Sequence, residues 1–195
     1  MAYSDTIVAT DDTLSSIISE LNRDKDKAYD KLFPLIYNDL KDIAAMQLAT
    51  ENSNVPYTST DLVHEMYMKW HDQEEIPCND KTHLIRLAAK TMRQILIDNA
   101  RKRLADKRGG NTVKVELNEE RLRIREAEEF LELEEACKKL RTIDKRLYNV
   151  IELKYFCGLS ISQVAETLEV SISTVDRDWK KARYWLRQFL DGSDC

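Results

Sequence analysis

The chain has 195 residues, with 30 basic and 35 acidic side chains, a formal net charge of −5 and 43% hydrophobic residues. That hydrophobic share is enough to bury a core and excludes a fully disordered chain, and only four Gly and three Pro argue against a turn-rich β-sandwich or barrel. Taken whole, the acidic balance speaks against nucleic-acid binding, because the phosphate backbone rewards positive charge.

The N-terminal stretch MAYSDTIVATDD has neither the basic nor the apolar region of a secretory signal, and a first short helix is predicted from Asp12 to Leu21. A second helix begins near Asp26. It carries Tyr29, Leu32, Phe33, Ile36, Tyr37, Leu40, Ile43 and Ala44 at helical spacing, with Pro34 marking a kink or a start. ENSNVPYTST, residues 51–60, reads as a loop. The helix DLVHEMYMKWHD follows, with Thr60 as its expected cap and Leu62, Val63, Met66, Tyr67 and Trp70 as its buried face. EEIPCND, residues 74–80, is a second loop.

A long helix is then predicted from about Asp80 to about Arg108. Leu84, Leu87, Ala88, Thr91, Met92, Ile95 and Asn99 share one face, and Arg86, Lys90, Arg93 and Arg101 share the other, with Ile97 among them. Residues 81–108 hold 9 basic and 2 acidic side chains, a net of +7, whereas residues 1–80 have a net of −10. The whole-chain charge therefore hides one strongly basic block. Gly109 and Gly110 stop that helix. Residues 111–121 lack helical periodicity and read as a linker. A charged helical stretch to Leu140 has Leu122, Ile124, Phe130, Leu133 and Ala136 as its apolar positions.

The last 54 residues read as three helices, capped by Asp144, Ser160 and Ser171, with Gly158 ending the first of them. The last two have the layout of a helix-turn-helix, with small Ala165 at the crossing and Val175 turned inward. In the final helix Ile172, Val175, Trp179, Ala182, Leu186, Phe189 and Leu190 are expected inside. Ser173, Asp176, Arg177, Lys180, Arg183, Tyr184 and Arg187 are expected outside, with Thr174 and Lys181 at the edge. Such a helix presents its N-terminal part to base edges in the major groove. Arg177 and Lys180 suit guanine O6 and N7, and Ser173 and Thr174 suit bases or phosphate. Lys181, Arg183 and Arg187 are placed along the backbone, and Ser171 and Tyr184 are counted in the same DNA-binding set. Two features count against this reading: Asp176 puts a negative charge on the DNA face, and Glu169 stands at a turn position where Gly is common.

Three motifs in order, DLVHEMYMKW, THLIRLAAKTMRQILIDNARKR and IELKYFCGLSISQVAETLEVSISTVDRDWKKARYWLR, resemble the extracytoplasmic-function (ECF) sigma factors of bacterial RNA polymerase. The likeness runs from about Asp26 to Leu190. It implies an all-α chain with an N-terminal domain over 1–108, a linker over 109–126 and a C-terminal helix-turn-helix domain over 127–195. By the resemblance, Asp61, Glu65, Lys69 and Asp72 would meet the β′ clamp helices of core RNA polymerase. Arg86, Lys90, Arg93, Arg101, Lys102, Arg103, Lys107 and Arg108 would lie on −10 promoter DNA. The loop from Glu74 to Thr82 would cup a flipped base, although it has no aromatic residue to stack on one. The C-terminal pair would read the −35 element, and the linker, acidic at Glu116, Glu119 and Glu120, would pass toward the polymerase channel. Core polymerase, including its β subunit, and promoter DNA are the expected partners, with room left for an anti-sigma protein.

Competing chemistry is poorly supported. His64 and Glu65 begin an HExxH pattern, but Met68 stands where the second His is needed. Cys78, Cys137, Cys157 and Cys195 are scattered and form no CxxC pair. No apolar run approaches the roughly 20 residues of a membrane span. The expectation is a cytoplasmic, reduced protein that is not an enzyme and has no cofactor, metal or membrane contact. A helix-turn-helix regulator binding a palindromic operator would explain the last 54 residues equally well, and a helical adaptor for protein partners is the third reading. Neither needs the basic helix.

Overall fold

The computed structural model describes residues 16–18, 25–50, 57–73, 76–108 and 117–192, without the side chains of residues 25, 26, 106–108, 117–121 and 123. In chain order the elements are α1 (Lys25–Thr50), α2 (Ser59–His71), α3 (Lys81–Arg108), α4 (Leu117–Ile143) and α5 (Lys145–Ile151). A π-helical turn, Glu152–Phe156, continues α5, and α6 (Ile161–Thr167) and α7 (Ile172–Leu190) complete the chain. No strand occurs among the described residues, as the scarcity of Gly and Pro predicts.

The first core lies between α1, α2 and α3. Leu32, Ile36 and Leu40 of α1, Leu62, Met66 and Trp70 of α2, and Leu84, Met92 and Leu96 of α3 are all buried. Each such side chain contributes about 1.5–3 kcal/mol by leaving water. Ile17 and Ile18, inside the first predicted helix, join this core. Tyr29, Phe33 and Tyr67 meet edge to face, with ring centroids 4.8–5.6 Å apart. The Trp70 indole donates to Thr91 Oγ1 at 3.0 Å, and the Thr91 hydroxyl donates to the Leu87 carbonyl at 2.9 Å.

Three expectations need correction here. Pro34 does not start α1; it sits inside the helix on an exposed position, where the carbonyl one turn back can turn to water. The cap of α2 is Thr58, not Thr60, because Thr58 and Asp61 close a reciprocal capping box that starts the helix two residues earlier. Tyr37, expected at a buried position, is exposed.

α4 begins at Leu117, inside the segment read as a linker. Its sequence is dominated by Leu, Glu and Arg, strong helix formers, but its apolar positions serve two different neighbours and so show no single period. Ala127 and Phe130 belong to the first core, whereas Ala136, Cys137 and Leu140 belong to a second with Leu147, Ile151, Phe156, Ala182 and Leu186. Leu122 is exposed. The predicted linker residues 109–116 lie outside the described residues.

A smaller third core of Val150, Leu153, Val164, Ala165 and Val175 holds the helix-turn-helix. The caps expected at Asp144, Ser160 and Ser171 all form. Gly158 takes φ 72° and lets the Leu159 amide donate back to Leu153 at 3.0 Å. The turn between α6 and α7 is a Schellman motif: the Val170 amide donates to the Ala165 carbonyl at 3.0 Å and the Glu169 amide to the Glu166 carbonyl at 3.1 Å. This geometry puts Glu169 at φ 54°, the left-handed conformation anticipated for it.

Glu169→Gly should therefore stabilise the fold by about 0.5–1 kcal/mol, the relieved left-handed strain less the extra chain entropy of Gly, read as a higher urea midpoint. Thr91→Val should cost about 1–3 kcal/mol in the same experiment, because it strands the Trp70 indole N–H in the core.

Candidate nucleic-acid interface

α7 is built for display. Ser171 caps it, its Oγ accepting from the Thr174 amide at 3.2 Å, and hydroxyls of Ser173 and Thr174 lie 2.9 and 2.8 Å from the same oxygen. The helix thus opens with three clustered hydroxyls beside its positive dipole end, a setting suited to phosphate or base acceptors. Ser173, Arg177, Lys180 and Tyr184 follow one another at i, i+4, i+7 and i+11, and all four are exposed. Tyr184 is 65% exposed, so its ring has no buried role. Lys181 is exposed, with its ammonium 3.9 Å from Asp144, and Arg183 sits over the Trp179 ring at 5.6 Å. Arg187 is exposed and lies 3.8 Å from Asp191.

Two side chains of α7 differ from the predicted partition, and a third, Asp178, was assigned to neither side of it. Ile172 and Leu190 were expected inside and are exposed, because each lies at an end of the helix, beyond the reach of α4 and α5. Asp178 is 2% exposed, and its carboxylate is ion-paired with Arg146, Oδ2 lying 2.7 Å from Nε. That ion pair ties α7 to α5 and fixes the direction of the exposed face. Its signal in the sequence is a carboxylate on the apolar stripe between Val175 and Ala182. Asp176 is half-buried, and its charge is withdrawn in part from the displayed surface.

The basic helix α3 is more deeply engaged than its sequence suggests. Ile85, Ala89, Ile97 and Ala100 are buried in addition to the predicted apolar face. Arg86 donates to Glu152 Oε2 at 2.8 Å. Arg93 is 8% exposed, paired with Glu134, and its guanidinium lies 3.6 Å from the centroid of the Phe156 ring. Lys90, Arg101 and Lys102 are exposed, Arg101 lying 3.9 Å from Asp98, and Arg103 is half-buried. The side chains of Lys107 and Arg108 lie outside the described ones. The predicted phosphate set is therefore divided, with Lys90, Arg101 and Lys102 outward and Arg86 and Arg93 turned to the C-terminal half. Glu134 and Glu152, which make that division, are invisible to a reading of one helix at a time.

On α2 the predicted polymerase-facing side chains remain on one exposed stretch. Asp61 also works locally, accepting from the Thr58 amide at 2.8 Å and the Thr58 hydroxyl at 2.7 Å. Those bonds hold its carboxyl below the usual range. Lys69 lies 3.6 Å from Asp98 of α3, Glu65 is exposed, and Asp72 closes the helix as its C-cap. Of the loop before α3, Ile76 and Cys78 are buried, and Asp80 caps α3 by accepting from the His83 amide at 2.8 Å. Glu74 and Glu75 lie outside the described residues, as do Glu116 and the side chains of Glu119 and Glu120.

Nothing in this arrangement resembles a reaction centre. Among the described residues no group of three His, Cys, Asp or Glu side chains could hold a metal ion. Burial pushes the Cys157 thiol up to about 12 and the Cys78 and Cys137 thiols up to about 11, each far from a reactive thiolate. No described helix is long and apolar enough to cross a membrane.

No curated protein and no solved structure gives a significant match to the chain. A family model, described as ECF sigma factor, matches residues 11–192. That span takes in the basic helix and the displayed face of α7 together, so the chain belongs to the ECF sigma factor family, DNA-binding helix-turn-helix proteins of transcription initiation that are not themselves enzymes.

Proposed function

We propose that this chain is a sigma subunit that brings core RNA polymerase to promoters by reading both the −10 and −35 elements. In this reading residues 1–108 hold the polymerase and the −10 DNA, 109–126 connect, and 127–195 read the −35 element. The observation that carries it is the displayed face of α7, where Ser173, Arg177, Lys180 and Tyr184 stand exposed in a rigid helix-turn-helix frame. Arg177 and Lys180 would read bases, and Ser171, Thr174, Lys181 and Arg183 would hold the backbone. Lys90, Arg101 and Lys102 of α3 support a phosphate track for the −10 strand. The exposed polar stretch of α2, with Asp61, Glu65, Lys69 and Asp72, supports docking on the β′ clamp helices.

An open groove of about 630 Å³ beside α7, walled by Leu133, Tyr155, Trp179 and Leu186 and rimmed by Lys180 and Arg183, supports a second protein contact, with the β subunit. In this reading the chain acts in the cytoplasm, where these partners meet.

Transcription from a genomic fragment library tests this directly. Core polymerase with the chain should start at a defined set of sites, and core polymerase alone should not. Tight dimeric binding to a palindromic operator, with no initiation, would instead identify a regulator. Arg177→Ala should weaken holoenzyme binding by about 1–3 kcal/mol and relax preference at one −35 position, scored against a panel of substituted promoters. An equal loss on every promoter would make Arg177 a phosphate contact. Replacing Arg101 and Lys102 together by Gln should lower the slope of log affinity against log salt by roughly 1.4 to 1.8, since each lost phosphate contact removes about 0.7–0.9.

A further inference from the structure

We infer that Asp178, on the packed side of α7, is a positioning residue for −35 recognition: its carboxylate aims the Arg177 guanidinium, and Arg146 of α5 keeps that carboxylate from capturing it. The inference rests on the reading of Arg177 as a base contact. Val175, Asp178 and Ala182 follow one another at i, i+3 and i+7 and are all buried, whereas Arg177, the neighbour of Asp178 in the chain, is exposed. Asp178 therefore lies where no base can touch it, directly behind a side chain that can reach one.

A buried carboxylate has to be neutralised inside the protein. Arg146 takes the larger share, with Nε 2.7 Å from Oδ2 and Nη2 3.5 Å from Oδ1. Arg177 takes the rest: its Nε lies 3.7 Å from Oδ1, within ion-pair range and beyond a hydrogen bond. The contact is made through Nε, so the two terminal nitrogens of Arg177 stay available for the paired acceptors of a guanine edge. The side chain is 70% exposed and would otherwise sample many rotamers, and a restrained arginine has less of that freedom to lose on binding. The turn that carries Arg146 is itself pinned. Asp144 caps it, accepting from the Arg146 and Leu147 amides at 3.1 Å, and Lys181 of α7 lies 3.9 Å from the other Asp144 oxygen. α5 and α7 are thus braced acid to base and base to acid.

The balance between the two arginines is the sensitive point. With Arg146 in place, Arg177 is oriented but not consumed. Without the Arg146 charge, Arg177 is the cation left beside the buried carboxylate, and it would close the gap of 3.7 Å to neutralise it. Its terminal nitrogens would then turn inward and the base would lose its partner. Arg146 thereby supports base reading without meeting a base.

The test uses the full chain with core polymerase and a panel of promoters, each substituted at one −35 base pair. The quantity read is the affinity ratio between the preferred and the substituted pair at the position that Arg177→Ala relaxes, a ratio of roughly 5- to 150-fold for one bidentate arginine. Asp178→Asn keeps the shape and removes the charge. It should lower that ratio roughly three- to tenfold, as Arg177 recovers rotamer freedom, and leave the ratios at other positions unchanged. Arg146→Gln should lower it to the value of Arg177→Ala. Adding Asp178→Asn to Arg146→Gln should raise the ratio back to that of Asp178→Asn alone, because no carboxylate remains to draw Arg177 inward. Arg146→Lys keeps the charge and should keep most of the ratio.

A pair that only braces the fold predicts something else: affinity falls equally on every promoter and the ratios stay as they were. That result would overturn the inference. Should Arg146→Gln fail to fold, with its carboxylate buried and unpaired, Asp178→Asn carries the test, and a variant with a cooperative urea transition and an unchanged ratio overturns the positioning role. Arg177→Ala separates the two ideas. If it relaxes no position, the base reading of Arg177 is removed and the role of Asp178 with it. If it relaxes one position and the Asp178 and Arg146 variants leave that position unaltered, the base reading stands and the positioning role alone is removed.

Discussion

A guanidinium that is nine-tenths out of water must be neutralised where it stands, and Arg93 sets this requirement for the whole chain. Glu134 of α4 supplies the charge and the Phe156 ring covers the cation's face, so two elements of the C-terminal half are bound to one side chain of the N-terminal half. Arg86 and Glu152 repeat the pattern two turns earlier, nearer the solvent. Gln47 then fills the seam with a donor that reaches two backbone carbonyls. The relation between the halves is thus fixed by polar groups with demanding geometry, set beside the apolar contacts through which Ala127, Phe130 and Cys157 join the first core.

This division of labour explains how a chain of net charge −5 can carry DNA-binding surfaces. The negative total is made largely by residues 1–80, and the positive charge is gathered on α3 and on the displayed side of α7. On α7 the basic groups project from an exposed face, because Asp178 and Arg146 turn the helix so that its apolar stripe meets α5. On α3 the positive charge is shared between solvent and internal carboxylates. Two basic helices of similar sequence character therefore present very different surfaces. α7 is available as it stands, and α3 only in part.

The pattern of local agreement follows from the range of the forces involved. Caps at Asp144, Ser160 and Ser171, the end at Gly158 and the strained Glu169 were all legible, since each depends on residues within five positions. The buried faces of α1 and α2 were legible for a similar reason: a helix with one neighbouring core shows one apolar stripe. The cap at Thr58 was missed because Thr58, Ser59 and Thr60 are all plausible, and the deciding bond is the reach of Asp61 back to Thr58. α4 was shortened because its two ends serve different cores.

What the sequence by itself determined is the set of helices, the three hydroxyls that open α7, and the run Ser173, Arg177, Lys180 and Tyr184 along its outer side. Those features rest on periodicity and on short-range hydrogen bonds, which any window of the chain contains. What only the tertiary structure decided is which basic side chains face water. Arg86 and Arg93 share one face with Lys90 on a wheel, yet Arg86 meets a carboxylate 66 positions away and Arg93 one on a different helix. An ion pair between distant segments leaves no periodic trace in either of them, because its partner is selected by how the cores pack and not by spacing along the chain.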